Sequence, residues 1–287
     1  MKRVIFIRIF RCICILFFCV LVQIIILEDI VDDTFILNRN ELSISDSRFR
    51  QMDFSQIDLN IIDDFANEYN MSKWELIVTA MYYKLSLEEG ISWDKKYIWS
   101  LRNNMIADYE DFKKIEKTIK SIVQDMVYFP VPKSVKSFPY VDYVNSWNFE
   151  RTYGGKRLHE GCDIMAQKNE RGIYPIVSVC DGVVEQMGWL EKGGYRIGIR
   201  SLNGIYYYYA HLSEYADFSI GDTVNAGELI GFMGDTGYGT VEGTTGKFDV
   251  HLHFGIYTDE NGCEISLNPY WFLKHIENKV LYFDYGM

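Results

Sequence analysis

From residue 12 to residue 27 the chain reads CICILFFCVLVQIIIL, sixteen positions with Gln23 as the single polar side chain. Adding residues 4–11 brings the run to the roughly 20 residues that cross a bilayer, because Arg8 and Arg11 can lay their stems on apolar surface and keep their charges at the headgroups. A core helix would carry a polar stripe, and this segment has none. A cleaved signal peptide would end in small residues, whereas the run ends Ile25-Ile26-Leu27-Glu28-Asp29. Residues 1–27 are therefore expected to be a cytoplasmic N-terminus and an uncleaved transmembrane signal anchor, engaging the membrane through residues 4–27. Lys2, Arg3, Arg8 and Arg11 precede or enter the run, and Glu28, Asp29, Asp32 and Asp33 follow it. That bias places the body outside the cytoplasm on a single-pass anchor.

Setting this segment aside sharpens the charge balance. The 287 residues hold 29 Lys+Arg and 40 Asp+Glu, a net charge of -11, yet residues 1–27 hold four bases and no acid. The remainder therefore carries 25 bases against 40 acids, a net -15. No nucleic-acid partner is expected of such a body, since phosphate tracking needs clustered Lys and Arg. With 18 Phe, 21 Tyr and 6 Trp the chain has ample material for a packed core and is not a disordered one. Cys12, Cys14 and Cys19 belong to the apolar run, which leaves Cys162, Cys180 and Cys263, an odd number and too few for a disulfide scaffold.

Residues 28–54 are polar and patternless and read as a linker. Four helical stripes follow. Ile57, Ile61, Phe65 and Tyr69 recur every four residues, with Ser55 as the expected cap. Ser72-Lys73-Trp74-Glu75 is a capping box opening a stripe that runs to Leu85. Tyr97 to Met105 and Phe112 to Met126 supply the third and fourth. Residues 55–128 thus predict a small all-α domain, a spacer or a docking module for a protein partner. Pro130, Pro132 and Pro139 end the helical texture. From 130 to 287 short strands alternate with glycine turns, over 176–179, 182–187, 195–200, 204–212 and 251–257, with Asn203-Gly204 as a hairpin turn and a final helix from about Pro269. This part predicts a mainly β, antiparallel domain.

Four of the five histidines fall within it. His159 and Asp163 stand four apart, and His251 and His253 two apart. On a strand His251 and His253 share one face, while Val250, Leu252 and Phe254 take the other. Imidazole and carboxylate are the ligand types of catalytic zinc, which keeps three protein ligands and an open position. The two motifs offer one donor too many, so one histidine of the 251/253 pair is free to act as a base. A His-Glu-x-x-His reading fails because position 163 is Asp and no helical pattern surrounds it.

Residues 150–275 resemble the LytM/lysostaphin-type zinc metallopeptidases of the M23 family. The matching stretches are His159-Glu-Gly-Cys-Asp163-Ile164, Tyr209-Ala210-His211-Leu212 and His251-Leu252-His253-Phe254, with the hairpin 221–234 similar to the family's own. The resemblance implies an antiparallel β groove, one zinc ion held by His159, Asp163 and His253, His251 as the base, and His211 orienting the water or stabilising the oxyanion. It implies a peptidoglycan substrate and hydrolysis of crosslink peptides at a bacterial cell surface. The alternative is a non-catalytic or partner-activated wall adaptor that uses the same groove for binding.

Two stretches depart from the family pattern. Four residues, Lys247-Phe248-Asp249-Val250, separate Thr245-Gly246 from His251, where family members commonly have one. The glycine-rich loop 237–246 is also long. Both border the groove, so they bear on specificity rather than on the metal. Tyr207 and Tyr209 share strand parity with His211 and are expected to line the groove. Cys162 points away from the metal as core filler, and His275 is structural.

Overall fold

A computed structural model describes residues 42–106 and 109–286. The expected signal anchor and most of the expected linker lie outside these residues. Among the described residues no helix is long and apolar enough to cross a membrane.

The N-terminal part is helical: α1 (Ser47–Arg50), α2 (Ile62–Tyr69), α3 (Lys73–Tyr83), α4 (Lys95–Met105) and α5 (Tyr109–Asp125). Short carboxylates set two of the starts, where Asp46 accepts from Arg48 N and Asp94 from Tyr97 N. Ser72 sits at the N-cap of α3, but its hydroxyl makes no cap bond and turns to Glu116 at 3.5 Å. The N-cap of α2 is Ile61, not Ser55.

The strands are β1 (Lys133–Ser134), β2 (Val141–Tyr143), β3 (Glu150–Arg151), β4 (Arg157–Leu158), β5 (Cys162–Ala166), β6 (Pro175–Val177), β7 (Gly182–Leu190), β8 (Gly194–Ser201), β9 (Tyr206–Tyr215), β10 (Thr223–Val224), β11 (Leu229–Met233), β12 (His251–Glu260), β13 (Cys263–Leu267) and β14 (Tyr282–Phe283), with α6 (Tyr270–Ile276) before the last. Ten of them form one sheet, ordered β10-β7-β8-β9-β12-β5-β2, with β13 beside β12 and β11 bridging β9 and β6. Every pairing along it is antiparallel. β3 and β4 make a separate antiparallel ribbon just ahead of β5.

Three adjacent strands, β5, β12 and β9, position the site. Asp163 pairs with His253, and His253 with Ala210, so these side chains share one face. Their neighbours Cys162, Ile164, Leu252, Phe254, Tyr207 and Tyr209 fill the other face and are fully buried.

Patterning alone separates a linker, a helical domain and a β domain. In the structure residues 42–286 are one compact unit with a continuous apolar core. Leu42, Ile44, Phe49, Met52 and Phe54, from the supposed linker, are each at most 5% exposed. Asn268 N donates to Arg50 O at 2.8 Å, and Phe54 meets Phe272 edge-on at 5.2 Å. These apolar residues anchor an irregular segment and follow no helical or strand period, which is why the sequence reads as a linker. At the other end of the helices, Asp125 closes α5 against the sheet. Asn203 Nδ2 and Tyr207 Oη donate to its two oxygens at 2.6 and 3.2 Å.

Candidate metal centre and active-site groove

His159 follows the β3–β4 ribbon, and its ring is fixed by Nδ1–H donating to Ser146 O at 2.8 Å. That bond settles the tautomer and leaves a lone pair on Nε2. The lone pair faces Asp163 Oδ1 at 3.0 Å and His253 Nδ1 at 2.9 Å. His253 Nδ1 lies 3.1 Å from the same oxygen. Three ligand atoms thus converge, on two imidazoles and one carboxylate, all within 4.8 Å of one another. Two electron-rich atoms, His159 Nε2 and Asp163 Oδ1, meet with no proton of their own between them, and a cation resolves that repulsion. The donor set fits a metal ion of the catalytic-zinc kind, with room for a fourth ligand. Arg151 pairs with the second oxygen of Asp163 and so turns Oδ1 toward the imidazoles.

Gly161 lets this cluster close. A Cβ there would fall 2.6 Å from His253 Cε1 and 2.6 Å from Phe254 O. Every larger residue would push the ring or the strand aside.

His251 stands on the same face as His253, one strand pleat away. Its Nδ1–H donates to Asp249 O at 2.7 Å, and its Nε2 lies 3.7 Å from Asp163 Oδ1. His211 approaches from β9, its ring 4.7 Å from that of His251, with Nδ1–H donating to Thr236 O at 2.7 Å. Both histidines therefore present a bare Nε2. Burial pushes His251 below its ordinary value and His211 well below it. Burial also takes His253 down to about 4, against the pull of Asp163. For Asp163 burial works upward, but the surrounding imidazoles of His159, His253 and His251 outweigh it and hold the carboxyl well below the usual carboxylate range.

The tyrosines correct the sequence reading. Tyr207 and Tyr209 do not line the groove: both are fully buried behind the sheet, with Tyr207 bonded to Asp125 and Tyr209 Oη accepting from Val179 N at 2.9 Å. The reason is a β-bulge. His211 has φ +65, and between Tyr209 and Leu212 strand β9 advances three residues while β8 advances two. Parity counted back from His211 therefore selects the wrong set. Tyr208 is the groove residue, its ring 5.9 Å from His253. Phe248, in the four-residue stretch before His251, packs against His211 at 4.5 Å and His251 at 5.0 Å and shields both imidazoles.

The Peptidase family M23 profile matches residues 157–265. A crystal structure of a candidate glycyl-glycine endopeptidase lytM from Ruminococcus gnavus ATCC 29149 is 39% identical and superposes with a TM-score of 0.68, over 86% of this chain and 96% of that one. The chain belongs to the M23 peptidase family.

Within the M23 family, the L-Ala--D-Glu endopeptidase of Bacillus subtilis (strain 168) is 39% identical over 203 residues, 70% of this chain and 60% of that protein. Lysostaphin of Staphylococcus simulans is 33% identical over 102 residues, 35% of this chain and 19% of its own length. The chain thus spans about 60% of the first of these relatives and about a fifth of the second. Arg151, Ser146, Tyr208, Thr236 and Phe248 join the M23 motif residues only in three dimensions. None stands in a metal-ligand spacing, and no periodic signal marks them.

Proposed function

We propose that this chain is a zinc-dependent endopeptidase that hydrolyses peptide bonds of peptidoglycan crosslinks, working outside the bacterial cytoplasm from a membrane anchor at residues 4–27. The observation that carries the reading is the convergence of five side chains, His159, Asp163, His211, His251 and His253, on one groove. His159, Asp163 and His253 hold the metal. Bound there, zinc supplies a Lewis acid for the scissile carbonyl and makes water nucleophilic near neutral pH.

The other histidines do the proton and charge work. His251, oriented by Asp249 O, has its Nε2 lone pair directed into the groove and takes the proton of the attacking water. Burial keeps it neutral, which is the form a base needs. His211, oriented by Thr236 O, accepts a hydrogen bond at its bare Nε2 and so holds the attacking water in line. Phe248 excludes bulk water from both rings, and Tyr208 offers a wall for the peptide. The relatives' names support peptide-bond hydrolysis as the chemistry and differ in the bond cut, L-Ala–D-Glu in one and glycyl-glycine in another.

Metal analysis of the full chain with two variants tests these roles. Wild type is expected to carry about one zinc per chain. His253→Ala loses both metal and hydrolysis, whereas His251→Ala keeps the metal and loses hydrolysis. A His251→Ala protein that retains full activity would remove the base from this scheme. Wall binding without cleavage by the zinc-loaded wild type would favour the adaptor.

A further inference from the structure

The charges in the groove are divided. Besides the histidines it is lined by Arg151, Arg157, Lys192, Asp163 and Glu160. Arg151 and Asp163 are spent on each other. Among the described residues Arg157 and Lys192 have no carboxylate in ion-pair contact, in a body with 40 acids. Arg157 is the more telling. Its Nε is buried with no hydrogen-bond partner, and its Nη2 donates only to Tyr238 Oη at 3.3 Å. A guanidinium carries five donors in a planar fork that matches a carboxylate, so most of this capacity is unused.

Position gives the unused donors a meaning. Tyr238, the Arg157 partner, stacks face to face with Tyr153 at 4.2 Å and lies 6.1 Å, ring to ring, from His211. The Lys192 stem runs beside Gly154, next to Tyr153, where a Cβ would fall 2.8 Å from its Cε. Glu160 belongs to the other end of the groove, where Tyr257 Oη donates to Glu160 O at 3.3 Å. On the His211 side the lining itself carries Arg157 and Lys192, with Glu191 held on Tyr153 Oη at 3.3 Å outside the lining, and on the Tyr257 side it carries Glu160. Arg157 and Lys192 line the same groove as His211, His251 and His253, so a group held there belongs to the substrate segment around the scissile bond.

We propose that Arg157, assisted by Lys192, binds a carboxylate on the residue flanking the bond to be cut, so that the substrate is an acidic peptide and not an oligoglycine. This rests on the endopeptidase reading above and chooses between the two bond types that the relatives' names offer. Arg157 supplies a charge-assisted fork to the carboxylate, and Lys192 a mobile second charge.

The test uses the zinc-loaded full chain and three synthetic peptides. One contains an L-Ala–D-Glu bond with the remaining glutamyl carboxyl free, the second is the same peptide as the carboxamide, and the third is pentaglycine. Wild type is expected to favour the free carboxylate over the carboxamide by about tenfold or more in kcat/KM. Arg157→Ala brings that ratio toward unity, Arg157→Glu inverts it, and Arg157→Lys restores part of it. Lys192→Ala, at an exposed side chain, lowers the ratio part-way and keeps the test open if position 157 variants fail to fold. Equal rates on carboxylate and carboxamide in wild type, or a ratio unchanged in Arg157→Ala, overturn the proposal. Cleavage of pentaglycine with neither acidic peptide cut overturns it while leaving the endopeptidase reading standing. Hydrolysis of none of the three overturns the proposal, and amino termini released from purified peptidoglycan by the same preparation then decide the endopeptidase reading separately.

Discussion

Gly161 and His253 stand so close that a single methyl group at position 161 would lie 2.6 Å from the imidazole Cε1. The glycine sits between His159 and Asp163, so one short segment provides two metal donors and the space for the third. Gly161→Ala is expected to tilt the His253 ring and weaken zinc binding by about 10–100-fold, the range typical of residues that orient ligands. Competition against a chromophoric chelator measures this. An unchanged affinity would mean the ring is not positioned by this contact.

The pH dependence of catalysis follows from the buried imidazoles. Burial depresses the His211 value well below 6.5, so the protonated form is disfavoured in the folded enzyme. His211 stays neutral as pH falls through 6.5 and gains its proton only further into the acid. The step in kcat/KM that belongs to His211, identified as the one lost in His211→Ala, is therefore expected below about pH 6.5. A His211-dependent step centred above that point would contradict the burial argument.

Tyr207 and Tyr208 are adjacent in sequence and opposite in role. Tyr207→Phe removes a donor from the buried Asp125 and is expected to cost about 1–3 kcal/mol of stability with KM unchanged. Tyr208→Ala is expected to raise KM with little loss of stability. Thermal melts and steady-state kinetics on the two variants separate the roles. A KM effect at 207 would restore it to the groove.

The same pair shows where the sequence runs out. His159, Asp163, His251 and His253 were legible because strand parity and ligand spacing are local, and each pair lies within five residues. The bulge at His211 is also local, but nothing in Tyr-Ala-His-Leu marks its left-handed φ, so parity failed one residue upstream. Arg151 and Arg157 sit on a short ribbon with no periodicity. Their proximity to Asp163 and Tyr238 comes from the return of β5 and of the 237–248 loop, which only the fold reveals. The helical stripes were readable as helices. Their union with the sheet was not, because Phe49 and Phe54 anchor it from an aperiodic segment.

That union carries its own test. Phe49 is fully buried although it lies ahead of the helical stripes. Phe49→Ala is expected to cost about 3–5 kcal/mol, and denaturant unfolding of residues 42–286 should remain a single cooperative transition. Two separable transitions, with only the first moved by Phe49→Ala, would restore an independent helical domain.

Hydrolysis of peptidoglycan peptides with a metal held by His159, Asp163 and His253 is tested by counting new amino termini released from purified peptidoglycan by the zinc-loaded full chain. Termini are expected to accumulate with time, and their release to stop on chelation of the metal. A fully zinc-loaded, folded protein that releases none would contradict the endopeptidase reading.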